Sequence, residues 1–152
     1  MADNRFCRDA SDRLSFEMFR VPASNYAAVC AAVAAAFPLS PDVRSFDAVE
    51  DAVSMDFRCG QQVVELAWDN WSGFIVTAKT ADSESLVREI ADWLLRSTWG
   101  EQSKAEPVAA PSPHHNIGWG LAQLLIAIAQ AMASRRSEPD GAPDRGDNDV
   151  VA

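Results

Sequence analysis

The sequence predicts an α+β fold: a two-layer sandwich in the order β-α-β-β-β-α, with a mainly antiparallel four-stranded sheet, plus a separate C-terminal apolar helix. Three observations lead there. Residues 53–78 alternate apolar and polar side chains in three short runs broken by two tight turns, the signature of a half-buried strand meander. Stretches on either side of it carry apolar residues at helical spacing. Beyond a proline-rich gap, residues 117–133 are apolar and carry no charge.

The elements follow in order. Residues 1–12 are charged and read as a frayed end. Leu14, Phe16 and Met18 alternate with Ser15 and Glu17, which predicts a first strand ended by Pro22. Ser24 is a plausible N-cap for a helix from Asn25 to about Phe37. Tyr26, Val29, Cys30, Val33, Ala34 and Phe37 form its apolar stripe, and the other side is almost all alanine. Such a side suits either close packing within the fold or contact with a partner. Pro38 and Pro41 open a loop that leads into the acidic stretch Asp47, Glu50 and Asp51.

The meander comes next. Val53, Met55, Phe57 and Cys59 share one face of its first strand, and Gly60-Gln61 turns the chain. Val64, Leu66 and Trp68 share a face of the second strand, then Asp69-Asn70-Trp71-Ser72-Gly73 forms the second turn. Phe74, Val76 and Ala78 follow on one face of the third. Turns this short force antiparallel neighbours. Thr80 or Asp82 can cap a second helix to about Ser97, with Leu86, Val87, Ile90, Trp93 and Leu94 as its buried stripe. Glu84 to Arg88 and Asp92 to Arg96 are supporting i,i+4 pairs. Trp99-Gly100 ends the compact domain, 1–100. Residues 101–115 read as a Pro/Ala-rich linker, 116–136 as the apolar helix and 137–152 as a disordered acidic tail.

Composition narrows the function. The chain has 152 residues, a formal charge of −9 and a sequence pI near 4.5. Residues 1–100 hold 9 basic and 15 acidic side chains, and residues 101–152 hold 4 and 7, so both parts are acidic. Neither carries the basic footprint of a nucleic-acid binder, and the balance favours a basic protein partner. Cys7, Cys30 and Cys59 show no metal or disulfide spacing. No secretory signal opens the sequence, so cytoplasmic residence is expected. Both histidines, His114 and His115, fall in the linker, which leaves the domain without a His-based triad or zinc site. No glycine-rich phosphate loop is present. No cofactor, metal or catalytic set is therefore expected. The carboxylates Asp47, Glu50, Asp51 and Asp56 are the remaining candidates for chemistry, and they read better as a solvated acidic edge.

Two features point to binding. Trp71 lies in a turn, where an indole has little cover, and Asp69 precedes it by two residues. These are the candidate contacts within the domain. In the C-terminal stretch, Leu121, Leu124, Leu125, Ile128 and Met132 make one stripe. The segment is short for a membrane span and lacks the cations of an interfacial helix, so docking on protein, including self-association, suits it better than membrane contact.

Read together, WDNWSGFIVTAKTADSESLVREIADWLL resembles small acidic α+β proteins of bacterial conflict systems, particularly immunity proteins, and more loosely the compact acidic chaperones of type III secretion. The resemblance covers roughly Trp68 to Leu95 and assigns no residue roles. It implies an inhibitor of a basic partner. The alternative is a chaperone-like adaptor, dimeric, holding an extended client against the alanine-rich helix side or the meander edge.

Overall fold

The computed structural model describes residues 4–49, 51–104 and 121–135. The alternation at Val53, Met55 and Phe57 does produce a strand, and the sheet built on it has six members, not four. They are β1 (Arg5–Arg8), β2 (Leu14–Met18), β3 (Ser40–Val49), β4 (Ala52–Cys59), β5 (Gln62–Asp69) and β6 (Gly73–Ala78). The spatial order is β1-β2-β6-β5-β4-β3, antiparallel at every step. The two additional strands are the edges. β1 is four residues long and lies in the charged stretch read as frayed. β3 replaces the predicted loop. Its Pro41 and acidic residues hide a strand pattern, and its pairing with β4 breaks register between Asp42 and Asp47.

Register sets the two faces of the sheet. Phe16, Val76, Leu66 and Met55 are cross-strand neighbours, as are Met18, Phe74, Trp68 and Val53. All eight are buried. Full burial of side chains this size stabilises by about 1.5–3 kcal/mol each.

Helices α1 (Tyr26–Ala36) and α2 (Glu84–Arg96) both cover this face. Tyr26 packs its ring on Phe74 at 6.2 Å and donates its hydroxyl to the Leu66 carbonyl at 2.9 Å. Arg88 of α2 sits over Phe6, whose ring meets Phe16. Phe37 and Trp93 meet edge-on at 6.1 Å, closing α1 against α2. Trp68 donates its indole N–H to the Val21 carbonyl at 2.7 Å, which fixes the chain between β2 and α1.

Helix starts differ from expectation. A 3-10 turn, Ala23–Asn25, precedes α1, so Asn25 rather than Ser24 stands at the N-cap, with no side-chain cap bond. A second 3-10 turn, Ala81–Ser83, precedes α2 and puts Ser83 at its N-cap. The Ser83 hydroxyl accepts from the Val63 N–H at 2.9 Å and pairs with Thr80 at 2.8 Å, so it ties the helix start to β5 instead of capping the helix. A short helix, α3 (Thr98–Lys104), continues beyond Gly100 into the stretch read as linker.

Helix α4 (Leu121–Arg135) lies along α1 and reaches β3. On α1, Tyr26, Val29, Cys30 and Val33 form the stripe turned to the sheet. Ala27, Ala31 and Ala34 form a second buried stripe beside it. Alanines let a helix approach closely, and α4 takes that place. Leu124 and Ile128, each 2% exposed, join the core cluster. The rest of the linker (105–115), residues 116–120 and the tail (137–152) lie outside the described residues.

Candidate functional site

Three connections end at one edge of the sandwich: the turn after β2, the β3–β4 turn and the β5–β6 turn. The last of these carries the candidate residues Asp69 and Trp71. Asp69 ends β5, and its Oδ1 accepts from the Trp71 N–H at 2.8 Å and the Ser72 N–H at 2.6 Å. A carboxylate bonding the backbone two and three residues on is the local reason the chain turns here. The Asn70 N–H donates to the Asp51 carbonyl at 3.2 Å, so the neighbouring turn holds this one from the side. Gly73 closes the turn at φ +72, and a Cβ there would lie 2.5 Å from the Met18 carbonyl oxygen. Only glycine fits both the dihedral and that approach. The turn is thus pinned on three sides, and from its middle Trp71 stands 75% exposed. The indole does not fold back over the core edge.

Val49, 61% exposed, lies at the same end. It pairs with Ala52, which pairs with Asp69. Sequence reading missed it. A single valine closing an acidic stretch carries no signal, and its place at the Trp71 end of the sheet, two strands from Asp69, comes only from strand register. Charge distribution adds a contrast. Of the carboxylates on the strands, Glu17, Asp42, Asp56 and Glu65 each pair with an arginine or lysine. Among the described residues no cation is ion-paired with the other two, Asp47 and Asp69, or with Asp51 in the turn beside them.

The C-terminal candidates divide. Leu124 and Ile128 are buried, Leu125 is half-buried, and the side chain of Leu121 lies outside the described ones. The outward side of α4 shows Gln123, Ala129, Gln130 and Ile126, which is 56% exposed.

The acidic stretch Asp47, Glu50, Asp51 and Asp56 does not converge. Asp56 lies on the face of the sheet opposite α1 and α2, where Lys79 bridges it at 3.3 Å to Glu65 at 3.2 Å. Burial pulls the Lys79 ammonium down, but the Glu65 hydrogen bond and both carboxylate charges outweigh it and raise its pKa. Asp47 is on β3, Asp51 in the turn, and Glu50 outside the described residues. Beside Glu65 on this face, Ser15 and Thr77 share a hydroxyl hydrogen bond of 2.8 Å. The cysteines are unpaired. Burial pushes up the thiol of Cys30 and, with Glu17, that of Cys7, which keeps both protonated. Among the described residues no group of three or more His, Cys, Asp or Glu side chains is placed to hold a metal, and no helix is long and apolar enough to cross a membrane.

Compared with protein-family models, curated proteins and solved structures, the chain matches none.

Proposed function

We propose that this protein is a non-catalytic binding module that captures a basic protein partner, in the manner of an inhibitor or immunity-type protein. The exposure of Trp71 on a pinned turn carries the reading. An indole is costly to leave in water, and a turn already ordered loses little entropy when a partner covers it. The net charge of −9 would speed encounter with a basic surface, and a buried tryptophan would slow release. We place the encounter in the cytoplasm, in keeping with three unpaired cysteines. The C-terminal apolar helix belongs, in this reading, to the domain's own packing. Self-association through Leu121, Leu124, Leu125 and Ile128 would first have to lift α4 from α1.

Site-specific photocrosslinking in cells that make the protein tests this. A photoreactive residue at position 71 should capture one basic protein, and excess unlabelled protein should suppress the product. The same group at Glu89, exposed on α2, should not capture it. No specific product from position 71, or the same products from both positions, would count against the proposal.

A further inference from the structure

Resting on that reading, we infer that the Trp71 end binds a cationic side chain of the partner, arginine in preference to lysine. The cation would be stacked on the indole and answered by the carboxylates of Asp69 and Asp51. Two independent observations support this occupant. The first is the display of the ring. Trp71 offers its indole from a turn held by Asp69, by the Asp51 carbonyl and by the close approach of Gly73 to β2. The turn backbone is held while the ring itself stands open to solvent, and an indole face is the best side-chain partner for a guanidinium or ammonium group. The second is the charge contrast on the strands. Four of their six carboxylates are neutralised by this chain's own cations. The two without a described cation partner, Asp47 and Asp69, are on the parts of β3 and β5 nearest the Trp71 turn, with Asp51 beside them. Asp69 commits Oδ1 to two backbone N–H groups. A carboxylate has acceptor capacity on both oxygens, so Oδ2 can receive a donor from outside. Val49, exposed two strands away at the same end of the sheet, extends the apolar surface available to a bound partner. Arginine is favoured because its planar, weakly hydrated cation both stacks and bonds in the same plane.

The test uses full-length protein and a blocked hexa-arginine peptide, with hexa-lysine and hexa-glutamine for comparison. Two-dimensional NMR follows the Trp71 indole N–H, assigned by its loss in W71F. Hexa-arginine should shift that signal and the amides of residues 69–72. Hexa-lysine should do so more weakly, and hexa-glutamine not at all. W71L keeps apolar bulk without the aromatic face and should weaken hexa-arginine binding about tenfold or more. D69N keeps an oxygen for the Trp71 and Ser72 N–H groups, so the turn should hold while affinity falls several-fold. An unchanged affinity in W71L would overturn the inference, as would peptide shifts centred on the exposed side of α2 or none at millimolar peptide. If crosslinking from position 71 still captured a basic partner in that case, the cation seat would be wrong and the binding module would stand. Failure of the crosslink would instead remove the reading beneath it.

Discussion

Shortening Leu124 to alanine measures how firmly α4 is held. Leu124 and Ile128 are each 2% exposed and belong to the same buried cluster as Val29 and Val33 of α1. In a fixed core, Leu→Ala costs about 2–5 kcal/mol. Here a ceiling applies. Once the loss exceeds the docking free energy of α4, the helix lets go and no further stability is lost. Two buried aliphatic side chains contribute about 3–6 kcal/mol of burial between them, before the cost of ordering the helix is subtracted. L124A and I128A should therefore each lose about 2 kcal/mol. The double variant should lose less than their sum, because both changes weaken one contact. Urea unfolding followed by circular dichroism reads this directly. The double variant should also show a smaller denaturant slope than wild type, because a native state with α4 released already exposes surface. I90A supplies the reference. Ile90 is fully buried in α2, has no way to undock alone, and should lose about 2–5 kcal/mol. Losses within about 0.5 kcal/mol of wild type for L124A and I128A, beside a loss several times larger for I90A, would refute a firmly docked α4. The residues at the α1–α4 contact would then contribute nothing to the fold.

Two further outcomes follow from local geometry and charge. G73A should cost about 2–4 kcal/mol, since alanine meets both the left-handed backbone and the Met18 carbonyl. G60A, with the same sign of φ and open space around it, should cost only about 1–2 kcal/mol, and equal losses in thermal or urea unfolding would refute the close-packing argument. Acid sensitivity is the second outcome. Hydrogen bonds from Arg8 and Arg13 hold Glu84 and Asp9, respectively, below their ordinary pKa values. A carboxylate depressed on folding stabilises above its unfolded pKa and loses that contribution as pH falls through its folded pKa. Melting temperature should therefore decline below about pH 4.5. E84Q should flatten part of that decline, and an unchanged slope would show the Arg8 pair to be inert. The effect will be small, because these pairs lie at the surface and are partly exposed to solvent.

Sequence reading recovered the elements whose residues repeat with a clear period. Val53-Met55-Phe57 and Leu86-Val87-Ile90-Leu94 announce β4 and α2 because burial on one side fixes the period. β1 and β3 escaped for a physical reason. Edge strands have one free flank and need no continuous apolar face, so Arg5–Arg8 and Ser40–Val49 look like charged loops. Trp71 could be singled out because an indole in a turn is unusual. Val49 could not, because its neighbourhood depends on pairing across β4. The same holds for Ala27, Ala31 and Ala34. Their composition marks a close approach, but only the placement of α4 says what approaches.

On the proposed reading, a basic protein is held at the Trp71 end of the sheet. The most direct measurement of that contact is the dissociation constant of the partner captured from position 71, for wild type and for W71A, by calorimetry at physiological salt. A central tryptophan anchor predicts a loss of about 2 kcal/mol or more, roughly thirtyfold in affinity, with W71A as stable as wild type because the ring is exposed. Affinities within twofold of one another would contradict the claim and place the contact elsewhere on the molecule.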